Sequence, residues 1–131
     1  MREAGISNQK YLNQSIVKAA AVLDLFTLEQ YELGISTIAA QLDMPVSTTH
    51  RILNTLESVG YISQNAENGK YRQGLKCFVL GNRVRLYNEL ASVAKPYLTE
   101  LSQRYNETTN LSVGTGTDEI LCISKINANR S

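Results

Sequence analysis

Three segments in the first half of the chain carry apolar residues at the spacing of a helix. The first segment runs from Ser15, the expected N-cap, to Leu28, and a polar loop ending at Gly34 follows it. One stripe of this helix is expected in the core: Ile16, Ala19, Ala20, Leu23 and Phe26. The opposite side is also apolar and comprises Val17, Ala21, Leu25 and Leu28. A helix with two apolar sides must be covered twice, so the second side predicts either a dimer interface or cover by later residues of the same chain.

The second and third helices are predicted on either side of a tight turn. The sequence "ISTIAAQLD" is typical of a short helix with Ser36 as its cap. Its inward face is expected to hold Ile38, Ala39 and Leu42. Pro45 disfavours helix at Met44 but suits the start of the next one. The third helix is therefore predicted over Val46–Val59, before Gly60, which suits a C-terminal cap.

A β-hairpin is predicted directly after the third helix. Here the pattern of apolar and polar residues changes from the helical period to an alternation of every second residue. Short strands are therefore expected over residues 61–64 and 70–73. The "NAENG" between them supplies the Asn and Gly residues that hairpin turns favour. In the second strand, Tyr71 is expected on one face and Lys70 and Arg72 on the other.

The second half of the chain begins with a predicted helix over Leu75–Leu90 and a further helix starting at Pro96. The segments "TTNLSVGTG" and "DEILCISKI" then predict two strands joined by a turn. A lone hairpin is marginal in water. The residues after about Leu98 are therefore expected to begin a second domain that is incomplete in this sequence.

Composition excludes several classes of protein. Hydrophobic residues make up 43% and charged residues 19%, which is typical of a globular chain. Residues 1–14 form a polar, mobile arm by this interpretation, without the apolar core of a signal peptide. No apolar run approaches the ~20 residues that cross a bilayer, so no membrane association and a cytoplasmic location are expected. Cys77 and Cys122 are expected as buried thiols, and a single histidine with two distant cysteines predicts neither a metal site nor a cofactor.

The cluster "STTHR" (residues 47–51) has three possible interpretations: the solvated end of a core helix, a Ser/His catalytic pair, or a contact surface. On a helical wheel the core positions are Thr49, Ile52, Leu53 and Leu56. The opposite face carries Ser47, Arg51, Asn54 and Ser58, flanked by Thr48, His50 and Thr55. This face has one strong cation and no acid before Glu57, as phosphates and base edges require. Catalysis is rejected because no acid orients the histidine and no Gly-x-Ser-x-Gly turn or phosphate-binding loop is present, so the chain is not expected to be an enzyme.

The order of helix, helix, tight turn, helix and hairpin is that of a winged helix-turn-helix. In this fold the second helix rests on the phosphate backbone, and the third enters the major groove. The hairpin, called the wing, reaches neighbouring backbone. The whole chain is nearly neutral, with a formal charge of +1, so contact with nucleic acid would depend on local charge such as the basic stretch 64–90.

The stretch "LDMPVSTTHRILNTLESVGYI", followed by "GKYRQG", resembles the IclR family of bacterial transcription regulators. The similarity runs from about Ser15 to the end, and "AKPYLTELSQRYNETTNLSV" resembles the family's entry into its sensing domain. The resemblance implies a mainly α protein: a winged helix-turn-helix domain over 15–75, with its helix-turn-helix at about 37–56 and its wing at about 61–74. A linker helix over 76–95 and the truncated start of an α/β effector domain, related to GAF and PAS folds, over 96–131 would follow.

Partners and site residues follow from the same resemblance. It implies a homodimer or tetramer that binds double-stranded operator DNA, controlled by an unidentified small-molecule effector, and leaves open whether transcription is repressed or activated. The residues expected at DNA are Ser36, Thr37, Val46, Ser47, Thr48, His50, Arg51, Asn54, Lys70 and Arg72. Two positions depart from the family pattern: Val46 stands where many members have a basic residue, and Gln73 where they usually have leucine. The alternative function is a winged helix that contacts protein rather than DNA.

Overall fold

The computed structural model describes residues 11–116 and 118–129. The chain divides into two compact units, residues 1–79 and 80–131. Most of the predicted N-terminal arm, residues 1–10, lies outside the described residues. The helices are α1 (Gln14–Asp24), α2 (Ile35–Gln41), α3 (Val46–Ser58), α4 (Leu75–Gly81) and α5 (Arg85–Tyr105). The strands are β1 (Ile62–Gln64), β2 (Tyr71–Gln73), β3 (Thr109–Gly114) and β4 (Ile120–Ile126).

The first unit is built around one apolar core. The core draws on α1, α2, α3, the wing and the loop before α2. Its buried members are Val22, Phe26, Leu33, Ile38, Leu53, Leu56, Ile62 and Tyr71. The inward face predicted for α3 is confirmed, since Thr49, Leu53 and Leu56 are buried and Ile52 packs against them.

The first helix differs from its prediction in its ends and its faces. Asn13, not Ser15, is the N-cap, because the Asn13 side chain accepts a hydrogen bond from the Ser15 amide at 3.1 Å. The helix ends at Asp24 rather than Leu28. Val22, which the predicted stripe omitted, is fully buried, whereas Ile16 is 67% exposed. Ala20 is also exposed, so the true inward stripe follows Ala19, Val22, Leu23 and Phe26.

The turn between α2 and α3 sets the direction of α3. Gly34, not Ser36, is the N-cap of α2, and Ser36 lies in its exposed first turn. Asp43 takes a left-handed conformation at φ +49°, which turns the chain after α2. The Met44 amide donates to the Ala39 carbonyl at 2.9 Å, and Pro45 caps α3 with extended backbone.

The wing is an antiparallel pair of β1 and β2, as the period of two predicts. Leu33 adds a third strand-like position, because it exchanges backbone hydrogen bonds of 2.9 and 2.8 Å with Tyr71. Leu33 is only 3% exposed, although its segment was predicted to be a polar loop. The bridge joins the segment before α2 to the wing.

The second half of the chain corrects two predicted helix boundaries. The helix predicted over Leu75–Leu90 is broken at residues 82–84 between α4 and α5, where the Asn88 side chain donates to the Asn82 carbonyl at 2.7 Å. No new helix starts at Pro96; it lies inside α5, which continues to Tyr105. A proline within a helix removes one backbone donor, and the 21 residues of α5 accommodate that loss.

The second unit places β3 and β4 side by side, which confirms the predicted strands. The Thr109 hydroxyl donates to the Leu98 carbonyl of α5 at 2.8 Å. Cys122 in β4 is exposed, so the prediction of a buried thiol is wrong there. Cys77 in α4 is half-buried, with its thiol 3.4 Å from the Tyr61 carbonyl.

Candidate nucleic-acid interface

The α3 helix presents a polar face to solvent. The exposed side chains of this face are Ser47, His50, Arg51, Asn54, Thr55 and Ser58, and Thr48 is half-buried at its edge. No acid lies in the first turn of α3, and Glu57 is the first acid along it. The buried side of the same helix fixes the orientation of this face. The arrangement therefore offers hydroxyl, amide, imidazole and guanidinium groups on one rigid surface.

Hydrogen bonds between polar residues order this face internally. The His50 Nδ1 and Asn54 Nδ2 atoms lie 3.3 Å apart, one turn from each other. With the Asn54 amide as donor, Nδ1 accepts and the imidazole proton sits on Nε2, which leaves an N–H donor available to a ligand. The Thr55 hydroxyl instead donates to the Arg51 carbonyl at 2.8 Å, so it is engaged within the helix.

The start of α2 and Val46 complete the helical part of the predicted site. Ser36 and Thr37 are exposed in the first turn of α2, and Val46 is 53% exposed at the first position of α3. The valine places an apolar side chain among donors, where it can contact a thymine methyl but no phosphate.

A groove of about 270 Å³ runs between α1 and α3. Lys18 and Arg51 both border it. The other lining residues are Ser15, Ala19, Thr48, Ile52, Thr55 and Leu56. Lys18 was not among the predicted site residues, because its position beside Arg51 depends on how α1 packs on α3. The groove brings two cations to one side of the polar face.

The wing exposes its two predicted cations. Lys70 and Arg72 flank the buried ring of Tyr71, as the strand alternation predicts. The Gln73 side chain turns away from them and donates to the Leu23 carbonyl at 3.1 Å, at the end of α1. Gln73 therefore replaces the apolar contact of a leucine with a hydrogen bond to one of the helix carbonyls that lack a partner within the helix.

Glu32 lies against the wing and was not predicted. Its carboxylate accepts hydrogen bonds from the side-chain amides of Asn65 and Asn68, each at 3.1 Å. These two bonds, in that order, hold the pKa of Glu32 below its usual value of 4.5, with smaller contributions from the charges of Arg72 and Lys70. No sequence motif marks this contact, since its partners are 33 and 36 residues away.

The residues predicted at a dimer interface do not all share one exposed face. Val17 is exposed and Ala21 half-buried on α1. Leu28 lies beyond the end of α1 and is 95% exposed. Leu25 packs against the core of its own unit, so this residue is covered by its own chain, which was the alternative to a dimer interface.

The described part of the chain lacks two further features. No group of three or more His, Cys, Asp or Glu side chains in it is placed to hold a metal ion. None of its helices combines the length and the apolar character needed to span a membrane.

Comparison with known proteins identifies this arrangement. Residues 15–66 match the IclR helix-turn-helix domain. The chain is 41% identical over 107 residues to the HTH-type transcriptional regulator XynR of Escherichia coli, covering 82% of this chain and 42% of that protein. It is 32% identical over 128 residues to the HTH-type transcriptional regulator KdgR of the same organism, covering 98% of this chain and 48% of that protein.

A solved structure has the same fold. It is an IclR homolog from Microbacterium hydrocarbonoxydans in complex with 4-hydroxybenzoate, with a TM-score of 0.76 and 26% identity over 89% of this chain and 48% of the other. The chain spans less than half the length of the relatives it matches.

Proposed function

The chain belongs to the IclR family of transcriptional regulators, and on that premise we propose that it is a sequence-specific DNA-binding regulator. In this proposal α3 enters the major groove of double-stranded operator DNA, and the wing contacts the backbone beside it. The relatives are named as transcriptional regulators, and none of those compared above is named as an enzyme.

The observation that carries the proposal is the two-sided character of α3. Its buried side holds the helix to the core, and its exposed side joins Ser47, His50, Arg51 and Asn54 in one donor-rich surface. Arginine and asparagine make the paired hydrogen bonds that distinguish guanine and adenine in the major groove. We assign base contacts to Arg51 and Asn54 and phosphate contacts to Ser47 and Thr48.

Three further cations are proposed to hold the protein on the duplex. Lys18 shares a groove with Arg51, and Lys70 and Arg72 extend from the wing. Such residues position a protein on the duplex through phosphates, without reading sequence themselves. Ser36 and Thr37 at the start of α2 are proposed to contact phosphate on the other side of α3.

The regulatory part of the proposal concerns residues shared with longer relatives. The segment 76–95, which holds most of α4 and the first half of α5, is proposed as a linker, and the segment 96–131 as the start of an effector domain that binds a small molecule. One structural relative is an IclR homolog in complex with 4-hydroxybenzoate. For this chain we propose a small-molecule effector without assigning its identity, a homodimer or tetramer as the active form, and action on DNA in the cytoplasm.

A footprint on the region upstream of the protein's own gene tests the proposal. A dimer should protect two half-sites related by two-fold symmetry on one face of the duplex. Protection should weaken steeply with salt, because each neutralised phosphate releases counterions. Absence of any protection at low salt would overturn the regulator function and favour the protein-contact alternative.

A further inference from the structure

Glu32 occupies a position from which it can control the wing. It lies in the loop before α2, next to Leu33, whose backbone is paired with Tyr71 of β2. From there its carboxylate reaches the side chains of Asn65 and Asn68 in the hairpin turn. The loop therefore contacts the wing twice, through backbone at Leu33 and through side chains at Glu32.

The two asparagines connect this carboxylate to the interior of the turn. The Asn65 side-chain oxygen accepts from the Glu67 amide at 2.9 Å, and the Asn68 oxygen accepts from the Lys70 amide at 2.9 Å. Each asparagine thus uses its oxygen inside the turn and its amide nitrogen on Glu32. Asn68 therefore links the Lys70 backbone to the Glu32 carboxylate through two successive hydrogen bonds.

We propose that Glu32 is a positioning residue that holds the wing turn in the shape that presents Lys70 and Arg72 to the DNA backbone. The proposal rests on the proposed DNA-binding function. A carboxylate suits the role, because each of its oxygens can accept from one asparagine amide. Glutamine has a single acceptor oxygen and would turn its own amide donor toward one of the two asparagines.

A simple charge effect makes the opposite prediction. An acid beside the wing repels phosphate. If this repulsion were the only effect of Glu32, its removal should strengthen DNA binding. If Glu32 positions the wing, its removal should weaken the part of the binding that depends on Arg72. The sign of the effect therefore separates the two roles.

Amide hydrogen exchange of the free chain tests the first half of the proposal. The Gly69 and Asn65 amides donate within the turn, to the Asn65 and Lys70 carbonyls, each at 2.8 Å. Glu32→Ala should accelerate their exchange roughly fivefold to tenfold, since charge-assisted hydrogen bonds that oppose opening are lost. In Glu32→Gln, the exchange rates of these two amides should lie between those of the wild type and those of Glu32→Ala. Glu29→Ala, which removes the same charge from the same loop, is the matched control and should leave both rates unchanged.

A double-mutant cycle on DNA tests the second half. Arg72→Ala should weaken binding of the upstream duplex in the wild type, and weaken it by a smaller factor in Glu32→Ala, because the wing is already displaced there. Unchanged exchange in Glu32→Ala, or stronger binding equal to that of Glu29→Ala, would overturn the role of Glu32. Failure of the wild type itself to bind DNA would overturn the proposed function, while the exchange result would still decide whether Glu32 holds the turn.

Discussion

Gly74 lies directly against the backbone of Gly60. A Cβ atom at Gly74 would come within 3.0 Å of the Gly60 carbonyl carbon and 3.1 Å of the Tyr61 carbonyl carbon, and closer still to the Gly60 oxygen. The Gly74 amide also donates to the Tyr61 carbonyl at 2.7 Å. Gly60 itself lies just after α3, at φ +86°. The two glycines thus bring the exit of the wing against the end of α3.

Gly74→Ala should destabilise the first unit. The methyl group meets backbone, which cannot move aside cheaply, and overpacking of this kind costs about 1–3 kcal/mol of the free energy of unfolding. Chemical denaturation followed by circular dichroism measures the loss. Gly81→Ala is the control, since no atom lies within 4 Å of its added Cβ, and it should be neutral or slightly stabilising. Equal stability of the Gly74 and Gly81 variants would contradict the close approach.

Val46→Lys should strengthen DNA binding in a salt-dependent way. Val46 is exposed at the start of α3, so a lysine there can reach a phosphate without disturbing the core. One added phosphate contact steepens the slope of log affinity against log salt by about 0.9. Val59→Lys is the matched control, because Val59 is similarly exposed at the opposite end of α3. An equal gain in both variants would show that only net charge matters.

Substitutions on α1 and at Leu28, just after it, test the proposed dimer. Val17→Asp should shift the mass measured by light scattering toward monomer, because it puts a charge into an apolar contact without entering the core. Leu28→Asp should do the same. Leu25 is unsuitable as a test, since it packs against its own core. Ala20 is exposed on α1 and is not one of the residues predicted at the dimer interface, so Ala20→Asp should leave the mass unchanged. A monomeric wild type would contradict the dimer.

The Glu32 contact should make stability depend on pH in the acid range. The pKa of Glu32 is lowered by folding, so its contribution to stability is present above the usual value of 4.5 and lost as the pH falls through the lower folded value. The wild type should therefore exceed Glu32→Gln in free energy of unfolding at neutral pH. Denaturation at a series of pH values should show this difference narrowing below pH 4.5. A difference that stays constant in acid would contradict the contact.

The parts of the fold that sequence predicted well are specified locally. The bounds of α3 agree to within one residue, because Pro45 suits the start of a helix, Gly60 adopts the positive φ that follows a helix end, and the apolar period is regular between them. The wing strands could be predicted because apolar and polar residues alternate on both sides of an Asn/Gly turn. The same alternation predicted that Lys70 and Arg72 are exposed. The predicted contact residues stay predictions.

The parts that sequence missed depend on packing between distant segments. Leu33 pairs with Tyr71, Glu32 with two asparagines of the turn, and Gln73 with Leu23, which is 50 residues away. Local errors had a different cause. Asn13 and Ser15 are both good caps, and the structure selects Asn13 because its side chain reaches the Ser15 amide. Pro96 suits a helix start by sequence, yet α5 runs through it.

The most direct test of the central claim is the affinity of the Arg51→Ala variant for a labelled duplex from the upstream region, measured by fluorescence anisotropy at several salt concentrations. The wild type should bind with strong salt dependence, and Arg51→Ala should lose about 1–3 kcal/mol of discrimination over unrelated DNA while its circular dichroism is unchanged. Arg104→Ala, which removes an exposed arginine from α5, is the control and should bind as the wild type does. Equal affinity of wild type and Arg51→Ala for the upstream duplex would contradict the placement of α3 in the major groove.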